Sequence, residues 1–189
     1  MSDCRWLVKM DAPPGNHDAQ VVGSRVALVQ LNGAHKARTR AWANDPEISR
    51  LMNRERPVSE SEHDAWFASI RGRDDCAFFA VETVGAAAHV GNVWLWAIER
   101  RHHKAELRIV IGEPSVRGQG AGTEAIDLLC RYGFEQLGLH RIYAYVLAIN
   151  PAARRAFERA GFHLEGTLRD DRWTADGFAD TYLLARLSG

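Results

Sequence analysis

A glycine-rich segment that directly precedes a long amphipathic pattern limits the folds open to this chain. In "EPSVRGQGAGTEAIDLLCRYGFEQLG", residues 113–138, Gly118, Gly120 and Gly122 alternate behind Arg117. Glycine permits positive φ angles and a close approach of a ligand to the backbone. The helix that follows adds unpaired N–H groups and the positive end of its dipole. The segment therefore predicts a turn that can hold a phosphate, with Arg117 adding a charge-assisted contact.

Four interpretations of this segment compete. A Walker P-loop requires a lysine followed by a hydroxyl residue after its last glycine, and no such pair stands here. A dinucleotide fingerprint requires glycines directly after a strand, but residues 113–117 intervene after the predicted strand end at Gly112. It also expects an acidic residue near the end of the next strand, and "RIYAYVLAI" contains none. A phosphate site of another kind and a purely structural turn with a helix cap both stay open.

Hydrophobic periodicity predicts a mixed α/β (α+β) fold. Apolar alternation and β-branched residues predict seven strands, at 24–31, 76–85, 89–99, 104–112, 140–149, 162–170 and 178–187. Four helices are expected. The first ends near Asn44, the second begins at the capping box of Ser59 and Glu62, the third follows the glycines, and the fourth begins at Asn150. Runs of helices and strands in this order exclude a regular alternation of βα units.

The length and the balanced numbers of basic and acidic residues indicate one globular domain without a net charge. The chain has 189 residues, and we expect a lead-in at 1–21, flexible at 11–18, and a single domain at 22–189. Lys plus Arg and Asp plus Glu are both 24, which argues against a nucleic-acid or membrane-surface partner. No apolar run approaches membrane-spanning length. The widely separated Cys4, Cys76 and Cys130 predict no disulfide framework and no metal site, and favour a cytoplasmic location.

Two ordered motifs carry a resemblance to a known family. "VRGQGAGTEAI" resembles the R/Q-x-x-G-x-G/A signature of the GCN5-related N-acetyltransferases (GNAT) on Arg117, Gly120 and Gly122. "NPAARRAFERAGF" is similar to the second signature of the same superfamily, with one helix and one strand between the two. The likeness covers residues 22–187. The phrases "WANDPEI", "AELRIVIG" and "FHLEGTLRD" look most like the RimJ/RimL branch, the ribosomal-protein N-terminal acetyltransferases.

The resemblance implies a fold and a cosubstrate. The expected fold is a GNAT fold: a mostly antiparallel seven-stranded sheet, splayed between its fourth and fifth strands and flanked by about four helices. The expected cosubstrate is acetyl-CoA, with no metal. The implied cofactor-binding residues are Ile109, Val110 and Ile111 on the fourth strand, the loop residues Arg117, Gly118, Gln119, Gly120, Ala121, Gly122 and Thr123, and Asn150 and Arg155 on the last helix.

The resemblance also implies direct attack of an amine on the acetyl group, without a covalent enzyme intermediate. A primary ammonium has a reference pKa of about 10 and must first lose a proton. Glu106 is the candidate base, with pairing to Arg108 or Lys104 as its purely structural alternative. Asn150 is expected to bind the cofactor or an ordered water. The family's usual proton donors, a tyrosine and a serine, are replaced by Phe157 and Ala153. Water or Tyr182 would then serve.

The sequence leaves the acceptor open. It is a protein N-terminus or a small-molecule amine such as an amino sugar or an antibiotic, and the protein is a monomer or a homodimer. The missing donors keep a non-catalytic acyl-CoA-binding or sensing module as the alternative. His102 and His103 lack metal-site spacing, and Trp94 and Trp96 are expected in the core or a cleft wall. The acidic loop with Asp170, Asp171 and Asp176 is expected to be a turn.

Overall fold

The computed structural model describes residues 20–189. The lead-in predicted at 1–21 therefore lies almost entirely outside the described residues, as do its flexible part at 11–18 and Cys4. The strands are β1 (Val21–Val22), β2 (Val26–Gln30), β3 (Ala77–Thr83), β4 (His89–Glu99), β5 (Lys104–Ile111), β6 (Arg141–Leu147), β7 (His163–Thr174) and β8 (Gly177–Leu187). The helices are α1 (Lys36–Ala43), α2 (Pro46–Leu51), α3 (Glu60–Ser69), α4 (Ala121–Glu135) and α5 (Pro151–Arg159).

All eight strands form one sheet, in the order β1-β2-β3-β4-β5-β6-β8-β7. Every neighbouring pair is antiparallel except β5 and β6. That parallel pair is short, because it joins only Lys104–Glu106 to Arg141–Tyr143. Beyond Glu106 the two strands separate. The predicted splay in a mostly antiparallel sheet is thus confirmed, and its apex lies at Glu106.

Helices cover both faces of the sheet, and strand alternation assigns each residue to one face. On β3, Phe79 and Val81 pack into the larger core cluster with α4 and α5, whereas Phe78 and Ala80 pack against Phe67 of α3. Helix α1 also lies on this second face, where Asn92 of β4 donates to the Thr39 hydroxyl at 3.1 Å. The predicted stripe of α4 is confirmed by its buried residues, which include Ile126, Leu129, Cys130 and Gly133.

The sequence predicts seven strands and four helices and misses two elements, strand β1 and helix α2. It predicts a helix stop before Pro46, and α1 does end at Ala43. Proline is also favoured at the first helical position, however, and Asp45 caps the N–H of Ile48, so α2 begins at Pro46. Strand β1, which spans the predicted boundary between lead-in and domain, has only two residues and no periodic signal. Residues 20–189 therefore form eight strands and five α-helices.

Two local predictions were also wrong. Strand β7 continues through the acidic segment to Thr174, so most of the predicted loop is a paired strand that ends in a tight turn. The capping box of Ser59 and Glu62 starts α3 as predicted, but this helix buries His63 and Phe67 rather than Ala65 and Ser69. No helix within residues 20–189 is long and apolar enough to span a membrane.

Candidate active site

The glycine segment forms a tight turn that exposes the first N–H groups of α4. Gly118 and Gly120 have φ angles of +75° and +89°, which side chains of other residues adopt with strain. Gly120 is the N-cap and offers no side chain to the helix. The first hydrogen bond of α4 joins the Glu124 N–H to the Gly120 oxygen at 3.0 Å. The N–H groups of Ala121, Gly122 and Thr123 precede that bond and are available to an anion.

Beside this turn lies an open cleft of about 630 Å³ between α4 and α5. Of the predicted cofactor residues, Gln119, Gly120 and Thr123 line it. Three arginines that the sequence analysis missed, Arg25, Arg159 and Arg186, line it as well. The predicted Arg155 is exposed on α5 and does not line the cleft, whereas Arg159 does, one helical turn further on. An i, i+4 step along a predicted helix was the available signal for Arg159.

The Arg117 guanidinium contacts protein groups. Its Nε donates to the Ile111 oxygen at 3.0 Å and its Nη2 to the Gly112 oxygen at 3.2 Å. Its Nη1 lies 2.7 Å from a carboxylate oxygen of Glu47 on α2. Arg117 thus connects the glycine turn to the end of β5.

The predicted residues of the splayed strand lie along an open edge. Ile109, Val110 and Ile111 pair with β4 on one side, and on the other side they have no pairing with β6. The side chains of Ile109 and Ile111 pack against the larger core, and Val110 points to the opposite face. Ile111 lies five residue steps from Glu106 along β5, which is about 16 Å of extended strand. This open edge runs from the glycine turn to the apex of the splay.

Glu106 lies at the apex and is engaged by Arg108. The residue is 8% exposed. Its two carboxylate oxygens accept hydrogen bonds from Nε and Nη2 of Arg108, at 2.7 and 2.9 Å. Ala105 and Leu107 pack into the larger core. Glu106 and Arg108 therefore point to the face opposite α4.

Aromatic rings surround this carboxylate on the same face. Trp96 stands opposite Glu106 in the β4–β5 ladder, and Tyr143 stands opposite it in the β5–β6 ladder. Trp94 stacks on Phe78 with ring centroids 5.6 Å apart. Burial, with a further contribution from the charge of Glu106, raises the pKa of the Tyr143 hydroxyl. Tyr143 is a protonated donor near the apex that the sequence analysis did not single out.

The last helix begins as predicted, and its expected proton donors are absent. The Asn150 side-chain oxygen accepts from the Ala153 N–H at 3.0 Å, which leaves its amide nitrogen available. Phe157 is buried edge-on against Phe162, with ring centroids 5.0 Å apart, and lies in the core. Tyr182 packs under the guanidinium of Arg154, 4.5 Å from the ring centroid to the guanidinium carbon.

Comparisons with known proteins now decide the family. A family model described as the acetyltransferase (GNAT) domain matches residues 25–163. The chain belongs to the GNAT acetyltransferase family. The fold agrees with this family. The chain superposes with a TM-score of 0.80 on a spermidine N-acetyltransferase from Vibrio cholerae, which was solved in complex with CoA and spermine. That likeness has 26% identity and covers 87% of this chain and 96% of the other.

Two curated relatives differ in their acceptors. This acetyltransferase is 28% identical over 163 residues to the human alpha/beta-tubulin-N-acetyltransferase 9, covering 80% of this chain and 79% of the relative. It is 38% identical over 90 residues to the spermidine N(1)-acetyltransferase of Escherichia coli K12, covering 48% of this chain and 47% of the relative. The family and its acetyl transfer to amines are therefore shared, and the acceptor varies among relatives.

Proposed function

We propose that this GNAT enzyme transfers an acetyl group from acetyl-CoA directly to a primary amine. The observation that carries the proposal is the open edge of β5, which leads from the glycine turn to the carboxylate of Glu106. An anion-binding turn at one end of this free strand edge and a buried carboxylate at the other suit a phosphate-bearing acetyl donor.

The residues present fit coenzyme A. We propose that its pyrophosphate binds to the N–H groups of Gly120, Ala121, Gly122 and Thr123, because they are aligned at a helix N-terminus. Gly118 and Gln119 complete the turn, and Arg117 fixes the turn to the end of β5 through its hydrogen bonds to the Ile111 and Gly112 oxygens. The thioester of the bound cosubstrate supplies an activated acetyl group.

Backbone groups of Ile109, Val110 and Ile111 form the free edge of β5, and we propose that they position the reactive arm. Asn150 has an amide nitrogen available for the same ligand or for an ordered water. Arg155 and the missed Arg159 belong to α5, and we propose that they contribute positive charge near the cofactor.

Glu106 is proposed to accept the proton from the acceptor ammonium, directly or through water. Its carboxylate lies at the apex and faces the side opposite α4, so cosubstrate and acceptor approach from different faces. Arg108 donates one hydrogen bond to each oxygen, so both oxygens keep a lone pair that can take the proton. Tyr143, next to Glu106, is the proposed donor for the departing thiolate, in place of Tyr182.

The finer assignments made from the sequence belong to this proposal. They are the RimJ/RimL-like branch, a single domain from residue 22 onward, a cytoplasmic location, and the choice between a monomer and a homodimer. The "AE" dipeptide supports the RimJ/RimL-like branch, because its glutamate, Glu106, lies at the apex of the splay between β5 and β6.

The experiment is release of the coenzyme A thiol from acetyl-CoA in the presence of three acceptor pools. The pools are peptides with free N-termini, amino sugars with their nucleotides and phosphates, and polyamines with aminoglycosides. We expect one pool to stimulate release, with the acetylated amine detected by mass spectrometry. Release at the same rate with and without every pool would contradict the proposed function.

A further inference from the structure

One edge of the Arg108 guanidinium is bound and the other is open. Nε and Nη2 donate to Glu106, whereas Nη1 makes no hydrogen bond to any protein group within residues 20–189. The side chain is 43% exposed, and the Glu106 side chain is 11% exposed. A guanidinium has five N–H donors in a planar fork, so the open edge can still bind an oxyanion with two of them.

Neighbouring groups hold this fork in place. The guanidinium carbon of Arg108 lies 5.8 Å from the centroid of the Trp96 ring. A second guanidinium, that of Arg73, lies over the same ring at 4.7 Å and is itself paired with Asp75. Arg108 is therefore positioned by an ion pair and by an aromatic face, which reduces the entropy lost when it binds a ligand.

The Glu106–Arg108 pair presents opposite charges side by side where the acceptor must enter. Residues two apart on a strand share a face and lie about 6.6 Å apart. A purely cationic acceptor meets the positive charge of Arg108 next to Glu106 and offers the open edge of the guanidinium no partner. An acceptor that carries both an ammonium and an anionic group can bind Glu106 and the open edge of Arg108 at the same time, with the internal ion pair kept.

We propose that the acceptor is a primary amine that bears a carboxylate or phosphate close to the amino group, and that Arg108 binds this anionic group. The inference rests on the proposed function and names its substrate class. The anionic group binds the open edge of Arg108, which places the ammonium beside the lone pairs that the Glu106 oxygens keep. Arg108 is thus the residue that determines acceptor specificity.

The other acidic groups near the apex support this assignment over a polyamine. Asp75 is paired with Arg73, Glu99 with Lys104 at 3.2 Å, and Glu165 with Arg141. A polycation needs several carboxylates without partners, because each ammonium has to be neutralised. A single carboxylate beside a fixed guanidinium matches one positive and one negative charge.

The test uses acceptor pairs that differ in one negative charge. The first pair is the tripeptide amides Ser-Glu-Ala and Ser-Gln-Ala, and the second is glucosamine 6-phosphate and glucosamine, so that a carboxylate source and a phosphate source are separated. Spermidine is the polycation. Values of kcat and KM are measured with saturating acetyl-CoA for the full-length wild type, Arg108→Gln and Arg73→Gln. Arg73→Gln is the matched control, because Arg73 also lies over Trp96 and pairs with a carboxylate.

For the wild type we expect kcat/KM to be about tenfold or more higher for the anionic member of an acetylated pair, mainly through KM. Arg108→Gln should reduce this ratio to within about twofold, and Arg73→Gln should preserve it. Calorimetry should give all three proteins the same affinity for acetyl-CoA, which shows that the variants are folded.

Three results would overturn the inference while the proposed function stands. They are equal kcat/KM values within every acetylated pair, the same loss of the ratio in both variants, and spermidine acetylated as efficiently as the best anionic acceptor. Absence of transfer to every amine would instead overturn the proposed function, and this inference with it.

Discussion

The guanidinium of Arg117 donates from Nε to the carbonyl oxygen of Ile111 at 3.0 Å. The bond joins the first residue of the glycine signature to the last residue of the splayed strand. The sequence predicts a phosphate contact for Arg117, and the structure gives its side chain three protein partners. The position of the turn relative to β5 thus depends on this side chain.

Replacement of Arg117 should therefore weaken both the fold and cosubstrate binding. Arg117→Gln removes charged hydrogen bonds in a partly buried position and should lower the free energy of unfolding by about 1.5–3 kcal/mol. The dissociation constant for acetyl-CoA should rise about tenfold because the turn is no longer fixed. Denaturant titration and calorimetry measure the two effects. Glu47→Gln is the control, since its carboxylate is largely exposed and should change stability by less than about 1 kcal/mol.

Gly112 should not tolerate a side chain. A Cβ at this position would lie 2.0 Å from Cδ2 of Trp42, so the indole of α1 would have to move. Gly112→Ala should lower stability by about 1–3 kcal/mol or more through overpacking. Gly166→Ala is the matched control, because nothing lies within 4 Å of its added Cβ. Thermal denaturation that gave both variants the wild-type midpoint would contradict the close packing of α1 on this residue.

Glu124 should make stability depend on acidic pH. Desolvation opposes ionisation of this carboxyl, but hydrogen bonds from Ser24 and from the Arg25 N–H outweigh it and lower its pKa below the usual 4.5. A lowered folded-state pKa contributes stability that is fully present above about pH 4.5 and is lost as the pH falls through the folded value. Glu124→Gln should therefore melt below the wild type at pH 7, and the difference should narrow below pH 4.5.

The control for this pH dependence is Glu135→Gln, an exposed position at the end of the same helix. Its melting temperature should follow that of the wild type at every pH. A constant difference between Glu124→Gln and the wild type from pH 7 to pH 3 would show that the carboxylate of Glu124 contributes no linked stability.

Cys130 should be unreactive in the folded enzyme. Burial raises the pKa of its thiol to about 12, and burial also raises the pKa of Cys76. Only the thiolate is nucleophilic, so a thiol reagent at pH 8 should label neither residue until the protein unfolds. The measurement is the labelling stoichiometry in a Cys4→Ser background, without and with guanidinium chloride. Rapid labelling of two thiols in the native protein would contradict the burial of this core.

The elements with strong periodic or capping signals were predictable from the sequence. The bounds of β4, the stripe of α4 and the caps at Ser59 and Asn150 follow from local spacing, which needs no tertiary information. Strand β1 and helix α2 were missed because they are too short to carry a period, and because Pro46 has two opposite meanings at a helix boundary.

The residues of the candidate site could be predicted only where they lie next to one another in the sequence. The glycine turn is contiguous, so its residues could be proposed together. Arg25 and Arg159 at the cleft, and Tyr143 beside Glu106, come from elements distant in sequence, and only the sheet order brings them to these places. The pairing of Glu106 with Arg108 was foreseen as an alternative, and the structure shows it. Its consequence for acceptor choice depends on the exposure of the guanidinium, which a sequence does not show.

Comparison of wild type with Glu106→Gln tests the central claim most directly. Both proteins are titrated with acetyl-CoA by calorimetry and assayed for the acetylated product of the best acceptor by mass spectrometry. The account predicts equal affinity for acetyl-CoA in the two proteins and a loss of kcat of about a hundredfold or more in Glu106→Gln. A wild type that binds acetyl-CoA but acetylates no amine, or a variant with unchanged kcat, would contradict the account.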